Sequence, residues 1–195
     1  TVILMIPYVR ELFLMAGHID ASKATVEKFL ARGHSVGIAV GGEAESLLAQ
    51  NGRDALVLHN RKGFVRLALR YGAPLVPTYT FGNNDAFHVS RTLLLPLREL
   101  LQRRLKLSIP IFWGQWGGPL PRKRPLATVV GRPIAVPGPA QVGGEVDEAL
   151  VDRVHSEYVA AVRRLFEDYK EAAGYGDASL EVLSASEPAG VKKKQ

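Results

Sequence analysis

Between residues 55 and 81 the apolar pattern changes period twice, and that double change limits what the chain can fold into. Ala55-Leu56-Val57-Leu58-His59 reads as a short strand, Lys62 to Tyr71 as a helix closed by Gly72, and Pro74 to Phe81 as another strand. Strand, helix and strand joined by short loops form a βαβ unit, whose crossover helix lets the two strands run parallel. The pattern therefore predicts an α/β class: a largely parallel sheet with helices on its faces.

The flanking segments extend this plan. Val9, Leu12, Phe13 and Ala16 predict a helix over residues 7–16 that stops at Gly17. A second helix starts at Ser22, buries Val26, Phe29 and Leu30, and leaves at Gly33. Residues 36–40, Val-Gly-Ile-Ala-Val, read as a strand running into Gly41-Gly42. Residues 127–131 and 133–137 read as strand edges around a Gly131-Arg132 turn. Val146, Leu150, Val154, Tyr158, Ala161, Leu165 and Tyr169 recur at helical spacing and predict a long last helix over about residues 145–173. The small, polar residues 174–195 are expected to be a flexible tail after a domain spanning residues 1–173.

At 195 residues, with 47% hydrophobic and 23% charged, the chain suits one globular domain. A chain of that size buries roughly 70% of its unfolded surface and needs no covalent staple. With Cys at 0, a thiol nucleophile, a cysteine zinc site, an iron–sulfur cluster and a disulfide framework are excluded. Lys plus Arg at 25 against Asp plus Glu at 19 leaves a net charge of +6, which favours anionic partners: nucleic acid, acidic lipid or a phosphorylated small molecule. The opening Thr1 to Phe13 has no basic lead-in and is broken by Pro7 and Arg10, so it reads as neither a signal peptide nor a spanning helix, but as a piece whose beginning lies upstream.

Two further segments have more than one reading each. Residues 91–107 are amphipathic and basic, suiting either a solvated face over a core stripe or a helix resting on anionic lipid. Residues 107–121 hold no charge and interleave Phe112, Trp113 and Trp116 with Gly and Pro. They suit a buried aromatic loop, the wall of an apolar tunnel, or a segment at head-group level.

Three motifs are candidates for chemistry. Gly33-His34-Ser35-Val36-Gly37 fits the pattern of a hydrolase nucleophile elbow, but that turn needs a strand before Ser35 and a helix after it, and here the order is reversed. A triad would draw on Asp85 and His88. Gly41-Gly42-Glu43-Ala44-Glu45-Ser46-Leu47 falls where a parallel strand should end, the place at which open α/β sheets bind ligands; its carboxylates either position a hydroxyl or simply begin a helix. His59-Asn60-Arg61-Lys62-Gly63-Phe64 joins a strand to a helix, where cations and free N–H groups suit a phosphate or are merely solvated. The five His residues, His18, His34, His59, His88 and His155, show no metal spacing, and no convincing general base is visible.

Taken together, these segments resemble the diacylglycerol/monoacylglycerol acyltransferase family, and most of all its type 2 diacylglycerol acyltransferases. The resemblance runs through Pro7-Tyr8-Val9-Arg10-Glu11, Gly17-His18-Ile19-Asp20-Ala21-Ser22, the Val40 to Leu47 segment, Asn60 to Leu69, Leu75 to Asn84 and Val129 to Ile134, in family order. It implies a glycerolipid-acyltransferase-like α/β fold, incomplete at its N-terminus. The implied reaction moves a fatty acyl group from acyl-CoA to the hydroxyl of diacylglycerol, forming triacylglycerol, in the endoplasmic reticulum membrane and at the lipid-droplet surface.

The family's His-Pro-His-Gly motif, with its catalytic His, would lie upstream, since none of the five His here precedes Pro. The resemblance gives Glu45 a supporting catalytic role and assigns acyl-CoA phosphates to Arg61 and Lys62. It implies acyl-CoA as co-substrate with no cofactor or metal, a glycerolipid and membrane as partners, no nucleic acid, and room for a homo-oligomer. This chain alone is expected to be inactive. Lys192 and Lys193 resemble a dilysine retrieval signal. Competing readings are a monoacylglycerol or long-chain alcohol as acceptor, a serine hydrolase using Ser35, and a non-catalytic basic domain that binds anionic lipid or nucleic acid.

Overall fold

A computed structural model describes residues 9–42, 45, 52–90, 111–118, 120–138 and 146–184. Among them the order is α1 (Val9–Met15), α2 (Lys23–Ala31), β1 (Asp54–Val57), α3 (Gly63–Tyr71), β2 (Thr78–Phe81), β3 (His88–Ser90), β4 (Ile111–Trp113), β5 (Ala127–Val130), α4 (Glu148–Tyr169) and β6 (Leu180–Leu183). The class is mixed α/β. No helix among the described residues is long and apolar enough to cross a membrane.

The helices end where the sequence predicts. Gly17, Gly33 and Gly72 follow α1, α2 and α3 with φ of 81°, 77° and 62°, a left-handed backbone that glycine adopts without a Cβ penalty. α4 starts at Glu148 because the Asp147 side chain caps it by accepting from the Ala149 N–H at 3.0 Å, and it ends at Tyr169, ahead of the expected residue 173. The expected start near residue 145 and the basic segment 91–107 lie outside the described residues.

Strand pairing differs from the simplest βαβ plan. β1 pairs in parallel with β6, register Asp54 to Leu180 through Val57 to Leu183. β2 pairs antiparallel with β5, and β3 antiparallel with β4. Thus β1 and β2, joined through α3, find separate partners. Residues 127–134 do not fold back at Gly131-Arg132; they run along one segment, with Thr78 opposite Val130 and Leu75 bridging Ile134. The Gly131 N–H donates to the Pro77 carbonyl at 2.8 Å between these contacts.

Two expectations need correction. Residues 36–40 form no strand: Gly37 weakens the run and Ile38 is left 43% exposed, so no buried face rewards pairing. The supposed flexible tail contains β6, because Leu180, Val182 and Leu183 supply a short apolar pattern that completes the β1 ladder. Residues 185–195, with the lysine run, lie outside the described residues.

α4 organises the core along its length. Its first half sets Val151 and Val154 against Val65 and Leu69 of α3, with Phe64, Leu75 and Val136 packed around them. Its second half sets Leu165 and Phe166 against Tyr79 and Phe81 of β2, with Leu56 and Leu180 from the β1–β6 pair. Phe166 meets Tyr79 edge-on at 5.1 Å and stacks on Phe81 at 5.3 Å between ring centroids. Each such buried side chain contributes about 1.5–3 kcal/mol of transfer free energy, so this helix ties α3, β2 and the β1–β6 pair together.

Candidate active site

The candidate site forms where β1 ends. Ala55 and Val57 point into the core, Leu58 is buried after them, and the chain then turns into α3. Three hydrogen bonds hold the turn: the Arg61 N–H donates to the Leu58 carbonyl at 2.9 Å, the His59 N–H to Leu183 at 3.1 Å, and the Asn60 amide to the Ser184 hydroxyl. The β6 end therefore helps shape this loop.

Glu45 reaches the same strand end. The Val57 N–H donates to Glu45 Oε2 at 3.3 Å. Burial holds the carboxyl above the usual carboxylate range, with the Val57 hydrogen bond opposing. The space comes from Gly41: a Cβ there would stand 1.9 Å from Glu45 Oε2 and 2.6 Å from Glu45 Cβ. The Gly41 of the sequence motif is thus matched to the carboxyl four residues on. Nearby, buried Tyr79 donates to Asp54 Oδ1 at 2.6 Å. Burial and Asp54 raise the Tyr79 phenol far above its ordinary range, and the Glu45 charge adds to the effect, which puts Glu45 within electrostatic reach of that pair.

The two motif cations have different surroundings. Lys62 Nζ lies 2.5 Å from Asp152 Oδ1 on α4 and holds that carboxyl below its usual range. Arg61 is half-buried at the mouth of α3, and its Nε is fully buried without a hydrogen-bond partner. Arg70 Nε is in the same state, but its guanidinium pairs with Glu27 at 2.7 Å, whereas Arg61 has no acidic partner among the described residues. A buried guanidinium N–H with no acceptor, at a helix start whose free N–H groups favour anions, can donate to a phosphate oxygen.

Sequence reasoning missed His155. It is buried on α4, its Nε2 lies 2.9 Å from the Leu58 carbonyl, and its ring faces Phe64 at 6.2 Å. A carbonyl only accepts, so Nε2 carries the hydrogen and the imidazole braces the loop that carries Arg61. Its place on the same helical stripe as Val151, Val154 and Val162 marks it as a buried position, but not as a brace.

The other candidates are not assembled as an elbow would require. Ser35 is exposed, with α2 before it and no strand among the described residues on either side of its turn. Asp85 accepts from the Tyr175 hydroxyl at 3.3 Å, and His88 faces Trp113 at 6.0 Å. No cluster of potential metal ligands occurs among the described residues.

Known proteins place this arrangement in context. The family described as diacylglycerol acyltransferase matches residues 1–183. Human 2-acylglycerol O-acyltransferase 3 is 38% identical over 183 residues, covering 87% of this chain and 52% of that protein. Human diacylglycerol O-acyltransferase 2-like protein 6 is 35% identical, covering 88% and 55%. Cattle diacylglycerol O-acyltransferase 2 is 34% identical, covering 86% and 49%. The chain therefore spans about half the length of these relatives. No solved structure matches it. A family match across residues 1–183 makes this chain a member of the diacylglycerol acyltransferase family.

Proposed function

We propose that the protein transfers a fatty acyl group from acyl-CoA to the free hydroxyl of diacylglycerol, forming triacylglycerol, at the endoplasmic reticulum membrane or lipid-droplet surface. The family match over residues 1–183 carries this reading. Acyl-CoA is the co-substrate, and the chemistry needs no metal or further cofactor. The acceptor oxygen bonds to the thioester carbonyl carbon, the C–S bond breaks, the hydroxyl proton passes to a base, and the coenzyme thiolate leaves and is reprotonated. The resemblance assigns that base to the family's His-Pro-His-Gly motif, which these 195 residues do not contain.

Glu45 orients that base or the acceptor hydroxyl, since a half-buried carboxyl with a single described hydrogen bond retains lone pairs for a second donor. Arg61 is the principal phosphate ligand. Lys62, paired with Asp152, acts mainly by fixing α3 against α4, and takes part in binding only when that pair opens. The name of the 2-acylglycerol relative, 38% identical, supports monoacylglycerol as a second acceptor.

The test uses the intact protein in microsomal membranes with radiolabelled acyl-CoA and diacylglycerol, monoacylglycerol or a long-chain alcohol in competition. Loss of one charged hydrogen bond is worth about 1.5–3 kcal/mol, so Arg61→Ala should raise the acyl-CoA KM by roughly tenfold or more. Glu45→Ala should instead lower kcat by a similar factor. No labelled neutral lipid from any acceptor would overturn the reading; an unchanged KM in Arg61→Ala would remove the phosphate assignment alone.

A further inference from the structure

The turn after β4 presents an indole to solvent in a way the core does not require. Trp116 is 88% exposed and has φ 54° and ψ 26°, a left-handed backbone unusual for a bulky residue. Backbone bonds close the turn around it: Gly114 N–H to the Gly118 carbonyl at 2.7 Å, and Gln115 N–H to the Leu120 carbonyl at 2.7 Å. A Cβ on Gly114 would stand 1.6 Å from the Leu120 oxygen, so the closure depends on glycine. The exit is fixed by the Arg122 N–H donating to Ala86 at 2.7 Å. A strained, tightly tied turn that holds its largest apolar side chain outward is built to present that side chain.

Its neighbours complete a pattern. Leu120 and Leu126 are 57% and 60% exposed, and Arg122-Lys123-Arg124 lie between them. The chain has no acidic residue between Glu99 and Glu145, while Arg103, Arg104, Lys106, Arg122, Lys123, Arg124 and Arg132 fall in that interval. Exposed apolar side chains within an all-cationic stretch match the boundary of an anionic bilayer. There an indole sits at head-group depth and lysine or arginine meets phosphate. A nucleic acid would suit the charge and the indole, but the two exposed leucines have nothing to stack on.

We propose that the turn carrying Trp116, together with Leu120, Leu126 and the Arg122–Arg124 run, docks on the anionic surface of a lipid bilayer and inserts Trp116 at head-group level. The contact gains its purpose from the reading that the acceptor is a membrane glycerolipid. Its test contains no substrate, so its failure would leave that reading standing.

The experiment mixes the 195-residue chain with vesicles of phosphatidylcholine alone or with phosphatidylserine. The chain has two Trp, so Trp113→Phe leaves Trp116 as the sole indole. Its emission should shift to the blue, and be quenched by brominated lipid, with the anionic vesicles only. Trp116→Gly relaxes the left-handed backbone, and should keep the thermal unfolding curve while losing most co-sedimentation. Lys123→Ala and Arg124→Ala should each weaken partitioning by about fivefold, the effect of one cation near such a surface. Unshifted Trp116 emission, undiminished sedimentation of Trp116→Gly, or a shift produced by an oligonucleotide and by neither vesicle would each overturn the proposal.

Discussion

Positive charge is held in two ways in this molecule. Where α3 meets α4 and α2, the cations meet acids: Lys62 pairs with Asp152, Arg66 grips Glu148 through two bonds of 2.7 and 2.8 Å, and Arg70 pairs with Glu27. Past the Trp116 turn, Arg122, Lys123 and Arg124 follow one another with no acid nearer in sequence than Glu99 or Glu145. The first arrangement fixes one helix on another, while Arg61 has no acidic partner among the described residues; the second is a run of three cations in which Lys123 and Arg124 are exposed. The net charge of +6 is therefore not a uniform property of the surface, and it says little about function until it is divided this way.

The comparison breaks first at the core. Phe166→Ala removes the ring that contacts both Tyr79 and Phe81, and should cost about 3–5 kcal/mol, read as a large drop in the denaturation midpoint. The same measurement on Trp116→Gly should show no comparable loss. Next comes His155→Ala, which strips Leu58 of its imidazole donor and opens space beside Phe64; about 1–3 kcal/mol is expected. In the intact protein it should also raise the acyl-CoA KM by loosening the Arg61 loop, and a KM like the parent's would separate the brace from the binding role.

The smallest change is a gain. Burial raises the Glu45 carboxyl in the folded state, so its protonated form is favoured there. That contribution is fully present below the ordinary carboxyl range and is lost as pH rises through the folded value. Glu45→Gln stays neutral at every pH, so it should melt higher than the parent at neutral pH, and the two curves should converge in acid. A neutral-pH melting temperature equal to or below the parent's would remove the desolvation argument.

Much of this frame is written locally in the sequence. The glycines that end α1, α2 and α3 and the period of α4 depend only on near neighbours, and they stand where the pattern puts them. Strand partners depend on residues far along the chain. Nothing in Asp54–Val57 states that its neighbour is Leu180–Leu183 and not Thr78–Phe81, and the short apolar pattern of β6 is easily lost within a polar tail. Residues 36–40 show the converse, an apolar run without a buried face to reward it. At the site, Glu45 and Arg61 were legible because glycine and charge cluster around them. His155 was not, because a histidine within a valine stripe looks like any other core position until the carbonyl facing it is known.

The union of β1 with β6 also bears on how the polypeptide can be trimmed. A version ending at Ala173 would look economical by composition, yet it would strip Asp54–Val57 of its ladder partner and the His59–Asn60 bend of Leu183 and Ser184. The bare row of amides so created is a template for sticking to another molecule, and shortening by so few residues would turn a folded edge into a seed for self-association.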